Sequence, residues 1–163
     1  MRMVWGMALA AAACATAPLS EDKAVRQIEH VTEAVYLGND RIKLTTDKPL
    51  LMPIEDLEFA VLARAADAAS ERGAERFAIV HAEYHQRGAF LSPDLEPLGQ
   101  TYIGSYERLL RFREEEQKRF GQTTGMTVVV QLQEEGEISV RQSFDAEETY
   151  EAMIGAWIKR GDL

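Results

Sequence analysis

The chain has 163 residues, 46% of them hydrophobic and 28% charged, with a net charge of −9 and a single cysteine. That is enough chain for one domain with a real core. The acidic balance repels nucleic acid and anionic lipid, so nucleic-acid binding is disfavoured. One cysteine leaves no intramolecular disulfide, and stability must come from packing.

The N-terminus reads as an export signal. Arg2 precedes an apolar run from Val4 to Ala13, which ends in small residues and Cys14. As a helix, that run would rise about 15 Å, roughly half of a bilayer core. Two cleavage readings stand. In one, a lipoprotein signal peptidase cuts before Cys14, whose thiol is lipidated; Ala11-Ala12-Ala13-Cys14 resembles the bacterial lipobox, with Ala11 where Leu is usual. In the other, ordinary signal peptidase cuts after Ala13 or Ala15. The lone thiol directly after the apolar run favours the first. Ala15 rather than Asp after Cys14 then points by enteric sorting rules to the periplasmic side of the outer membrane. Without the lipid, the protein would be soluble in the periplasm. Residues 1–13 are thus expected as signal peptide and 14–29 as lipidated cysteine and flexible tether, with a helical turn near Lys23–Ile28. Residues 30–163 are expected as a single domain.

That domain opens with β-prone runs, Val31–Leu37 and Arg41–Thr46, around the turn residues Gly38-Asn39-Asp40. Ile54–Arg72 is expected as a helix. Pro53 stands at its first turn, Glu55 and Asp56 suit its N-terminal dipole, and Gly73 is a left-handed stop. Its many alanines allow close approach to a sheet. Arg76–Tyr84 follows as a strand, and its unbroken apolar run Phe77–Val80 suggests a central one covered on both faces. Residues 86–104 read as a long loop. Tyr106–Phe120 is open between helix and strand, with propensity favouring helix. Met126–Gln133 and Ile138–Gln142 read as a second hairpin around Glu134-Glu135-Gly136. A final helix is capped by Asp145, carries Tyr150, Met153, Ile154, Trp157 and Ile158 on one face, and ends at Gly161. The expected fold class is α+β: a mostly antiparallel sheet of two hairpins plus a central strand, with helices packed on one face, in the order β-β-α-β-(α)-β-β-α.

Two stretches carry a resemblance. Leu62–Val80 is an Ala-rich helix containing Arg64-Ala65-Ala66 that runs into Gly73, Phe77 and a hydrophobic strand. Phe144–Met153 is an aromatic-Asp-Ala start of a C-terminal helix. Both resemble segments of small proteobacterial cell-envelope lipoproteins of unassigned function. The resemblance implies a β-β-α-β-β-α-like lipoprotein domain and brings no catalytic residue with it.

One constellation suggests chemistry. On a strand, His81, Glu83 and His85 share a face. Two imidazoles and a carboxylate suit Zn²⁺, as in a metal-binding periplasmic protein or a metal-dependent hydrolase. Same-face neighbours are about 7 Å apart, so His81 and His85 stand at about twice that. Joint ligation would need a curled strand end or a further ligand such as His30. The competing reading is a solvated outer strand face. No nucleophile elbow, Ser-x-x-Lys or phosphate loop is present. The leading expectation is a non-enzymatic, membrane-tethered module for another envelope component, with the sheet edge at Val31–Leu37 open to strand addition.

Overall fold

The computed structural model describes residues 19–87, 103–117, 122–133 and 143–161. The signal, Cys14, most of the 86–104 loop and the strand expected at Ile138–Gln142 lie outside the described residues. The chain is α+β: an open five-stranded sheet in which every pair is antiparallel, with helices packed on one face.

The first element corrects an expectation. Residues 14–29 were read as tether, yet α1 (Glu21–Val31) is a docked helix with Ala24 and Ile28 buried. With Val25 and Val31 beside them, they form an apolar stripe at helical spacing on an otherwise polar helix. Ile28 packs in one cluster with Ala60, Ala63 and Ile154.

β1 (Thr32–Gly38) and β2 (Arg41–Asp47) form the expected hairpin. Asn39 and Asp40 turn it at φ 50° and 55°, the left-handed region these two residues tolerate best. Thr32, Ala34 and Tyr36 face the helices, whereas Glu33, Val35 and Leu37 face away. Thr32 and Thr46 share a hydroxyl hydrogen bond of 2.8 Å across the pair.

α2 (Ile54–Ser70) is the structural centre. Leu57, Val61, Leu62, Ala65 and Ala69 meet the sheet residues Leu44, Phe77, Val128 and Val130 in the main core. Ala60 and Ala63 serve a different side, under Ile28 of α1 and Ile154 of α4 (Ala146–Gly161). The alanines therefore let α2 be enclosed between the sheet and an outer helix layer. Gly73 follows at φ 72°, as its position after the helix requires.

Strand order is β1-β2-β4-β3-β5. The centre belongs to β4 (Gln122–Gln133), and not to β3 (Arg76–Arg87), which the apolar run Phe77–Val80 had marked as central. β3 borders β4 along its length. Among the described residues, its other edge meets only the two-residue β5 (Phe144–Asp145) and a single bridge from Ile103 to Ile79. The unbroken apolar run has a local cause. Phe77 and Ile79 face the helices, the register shifts between Ile79 and His81, and Val80 is the extra residue of that bulge.

α3 (Tyr106–Gln117) resolves the ambiguous segment as helix. Leu109 is buried and Phe112 stacks on Tyr84 at 6.0 Å between ring centroids. α4 is capped as expected, the Glu148 amide donating to Asp145 Oδ1 over 3.0 Å. None of the described helices is long and apolar enough to cross a membrane.

Candidate functional site

The bulge at Val80 decides which β3 side chains face which way. Beyond it, Ala82 and Tyr84 turn toward the helices, and His81, Glu83 and His85 form a row on the open sheet face. The expected shared face is present. The three groups are not brought together as a ligand set: His81 and Glu83 stand exposed, while His85 turns back over the sheet. His85 Nε2 lies 2.8 Å from Thr127 Oγ1. The ring leans over Gly125, where a Cβ would meet His85 Nδ1 at 2.9 Å and the Thr46 carbonyl oxygen at 2.7 Å. Among the described residues, no group of three or more His, Cys, Asp and Glu side chains is arranged to hold a metal ion. The strand rise keeps His81 and His85 apart, and no strand end curls to close the gap.

The inward half of the same strand builds a constellation that the sequence reading missed. Glu58, on the sheet-facing side of α2, has no solvent exposure. Tyr84 donates its hydroxyl to Glu58 Oε1 over 2.7 Å. Tyr106, at the start of α3, donates to Oε2 over 3.2 Å, and Arg113 Nη1 on the same helix lies 3.3 Å from that oxygen. Burial pushes the Glu58 carboxyl above the usual range, and the Tyr84 hydrogen bond, the Arg113 charge and the Tyr106 hydrogen bond oppose that rise. Burial and the neighbouring carboxylate also push both phenols up, so they remain donors.

An outer ring of charges surrounds the clasp. Arg113 also reaches Glu55 at 3.2 Å. From α4, Arg160 approaches Asp56 at 3.0 Å and Glu55 at 3.9 Å. Burial raises the Asp56 carboxyl, and Arg160 works against that.

Chemically, the arrangement is a clasp. Both Glu58 oxygens are occupied by donors from two other elements, and no face of the carboxyl meets solvent. It fixes α3 against α2 and β3. The signal in the sequence was faint: a carboxylate between Leu57 and Val61 on an otherwise apolar helix face.

The open feature is at the sheet edge. β1 is an outer strand, and Val35 and Leu37 on its open face are 44% and 53% exposed. Its far side carries no strand among the described residues, so a seven-residue row of backbone donors and acceptors is offered there. Compared with known proteins, the chain matches no family model, no curated protein and no solved structure.

Proposed function

We propose that this is an exported, lipid-anchored envelope module on the periplasmic side of the outer membrane that binds another envelope protein by strand addition at β1. The signal pattern ending in Cys14 supports the anchor. The observation that carries the binding mode is the β1 edge, which no described strand covers, with its apolar pair Val35 and Leu37. Backbone hydrogen bonds to an added strand supply affinity, and side chains on alternate positions supply selectivity. A sealed carboxyl clasp and an uncommitted edge together favour a binding role over catalysis.

Two measurements test this. Fatty-acid labelling of cells expressing the full chain is expected to give label that disappears in Cys14→Ser, with the protein in the outer-membrane fraction. Crosslinking in the same cells is expected to return an envelope protein that is lost when Val35→Lys and Leu37→Lys charge the edge. Label that survives Cys14→Ser sinks the anchor. Equal recovery of the partner by the edge variant sinks strand addition.

A further inference from the structure

The turn between β2 and α2 presents Leu50 and Leu51 at 80% and 96% exposure, the two most exposed large hydrophobic side chains among the described residues. This turn is built firmly. The Lys48 amide donates to the Thr124 carbonyl over 2.9 Å, and the Met52 amide donates to the Pro49 carbonyl over 3.0 Å. Pro49 and Pro53 bracket it, and their fixed φ removes freedom on both sides. Two leucines held outward by a stiff turn find no cover among the described residues.

Their place on the molecule suggests what covers them. Pro53 leads directly into α2, so the turn lies at the N-terminal end of that helix. Arg160, near the end of α4, reaches Asp56 and Glu55 in the first turn of α2. The next residue, Gly161, abuts Leu19, whose Cδ2 is 3.0 Å from where a Gly161 Cβ would stand. The chain therefore enters the described domain at the same end as the leucine turn. Four residues, and hence five Cα–Cα steps, separate Cys14 from Leu19. Fully extended, they reach about 17 Å. A lipid on Cys14 would hold Leu19, and with it this end of the domain, within about that distance of the bilayer.

Local charge agrees. No acidic residue lies between Lys48 and Ile54. The acids that follow, Glu55 and Asp56, are met by Arg113 and Arg160. Exposed Asp47 directly precedes Lys48, so the turn itself is uncharged and suits neutral headgroups better than anionic ones.

We infer that the Leu50–Leu51 turn is a second membrane contact, entering the headgroup region of the bilayer that holds Cys14. The inference rests on the proposed anchoring. It fixes the orientation of the domain, with the N-terminal end of α2 toward lipid and the β1–β2 hairpin turn pointing away. Arg72, just past the C-terminal end of α2, sits 3.6 Å over the Tyr36 ring beside that hairpin turn. The α2 helix separates the two ends by about 26 Å.

The test uses the full chain, purified with its native N-terminus and reconstituted in phosphatidylethanolamine–phosphatidylcholine vesicles that carry a lipid-borne nitroxide. A fluorophore is placed at Leu51→Cys, and in a second protein at Glu71→Cys just past the far end of α2. Quenching several-fold stronger at position 51 than at 71 is expected. Equal quenching on vesicle-bound protein overturns the contact. Mass spectrometry of the N-terminal peptide decides the anchor separately. If Cys14 carries no acyl group, the anchor falls and the Cys14→Ser, Leu51→Cys chain is added to the same vesicles from outside. Quenching at 51 then upholds the turn as a lipid contact in its own right, and its absence overturns it.

Discussion

Tyr84 on β3 and Glu58 on α2 are joined by a 2.7 Å hydrogen bond inside a core that neither side chain leaves. A buried carboxyl is costly unless its oxygens are paired. This one is paired from three directions, which links a strand and two helices through a single side chain.

Tyr84→Phe removes one donor and leaves Glu58 Oε1 buried without it. The expected loss is about 1–3 kcal/mol of folding stability, read by urea unfolding. The α3 segment should become the least protected described helix in hydrogen exchange. An unchanged midpoint would mean that the clasp contributes nothing.

The sign of the pH effect follows from the raised Glu58 carboxyl. The folded state holds this proton more tightly than the unfolded state. The contribution is therefore full below the unfolded pKa and is lost as pH rises through the higher folded value. Compared with Glu58→Gln, the wild-type chain is expected to lose stability as pH rises above the ordinary glutamate range of about 4 and through the higher folded value, whereas the variant is flatter over that span. A wild-type curve that rises relative to Glu58→Gln would contradict the assignment.

Gly125→Ala places a methyl 2.7 Å from the Thr46 carbonyl oxygen and 2.9 Å from the His85 ring. The imidazole can swing aside, but a carbonyl in the neighbouring strand cannot. A loss of about 2 kcal/mol or more is expected. His85→Ala, Gly125→Ala should recover little of it, because the backbone contact remains. Thermal unfolding of the three proteins settles this.

Ile28→Ala distinguishes a docked helix from a tether. Ile28 is 3% exposed against Ala60, Ala63 and Ile154. Truncation is expected to cost about 2–4 kcal/mol. A free tether would show no change.

The helices α2 and α4 were legible because their signals are local: Pro53, Gly73 and the Asp145 cap lie beside the residues they organise. The docking of α1 was not: Ala24, Val25, Ile28 and Val31 recur at helical spacing, but the surface they meet, Ala60, Ala63 and Ile154, lies far along the chain. Strand order left no local mark either. Val128–Val130 and Phe77–Val80 look equally central, and the single bulge residue Val80 made β3 read as covered on both faces. The row His81, Glu83 and His85 was legible as a shared face because strand parity fixes it. That His85 would be taken by Thr127 depended on a neighbour 42 positions away. The Glu58 clasp depends on partners 26, 48 and 55 positions away, and no periodicity records such distances.

The placement of β4 in the middle of the sheet has a consequence for synthesis. β2 can acquire its inner neighbour only when Arg41 meets Gln131, and β3 depends on the same strand. The centre strand begins at Gln122 of 163, about three quarters of the way along. A chain emerging N-terminus first therefore carries its hairpin and its alanine-rich helix without the strand that joins them while the stretch from Ser70 to Gln122 is made. Pairings this distant in sequence form slowly. The sheet's two inner ladders must therefore both wait for the last quarter of the chain.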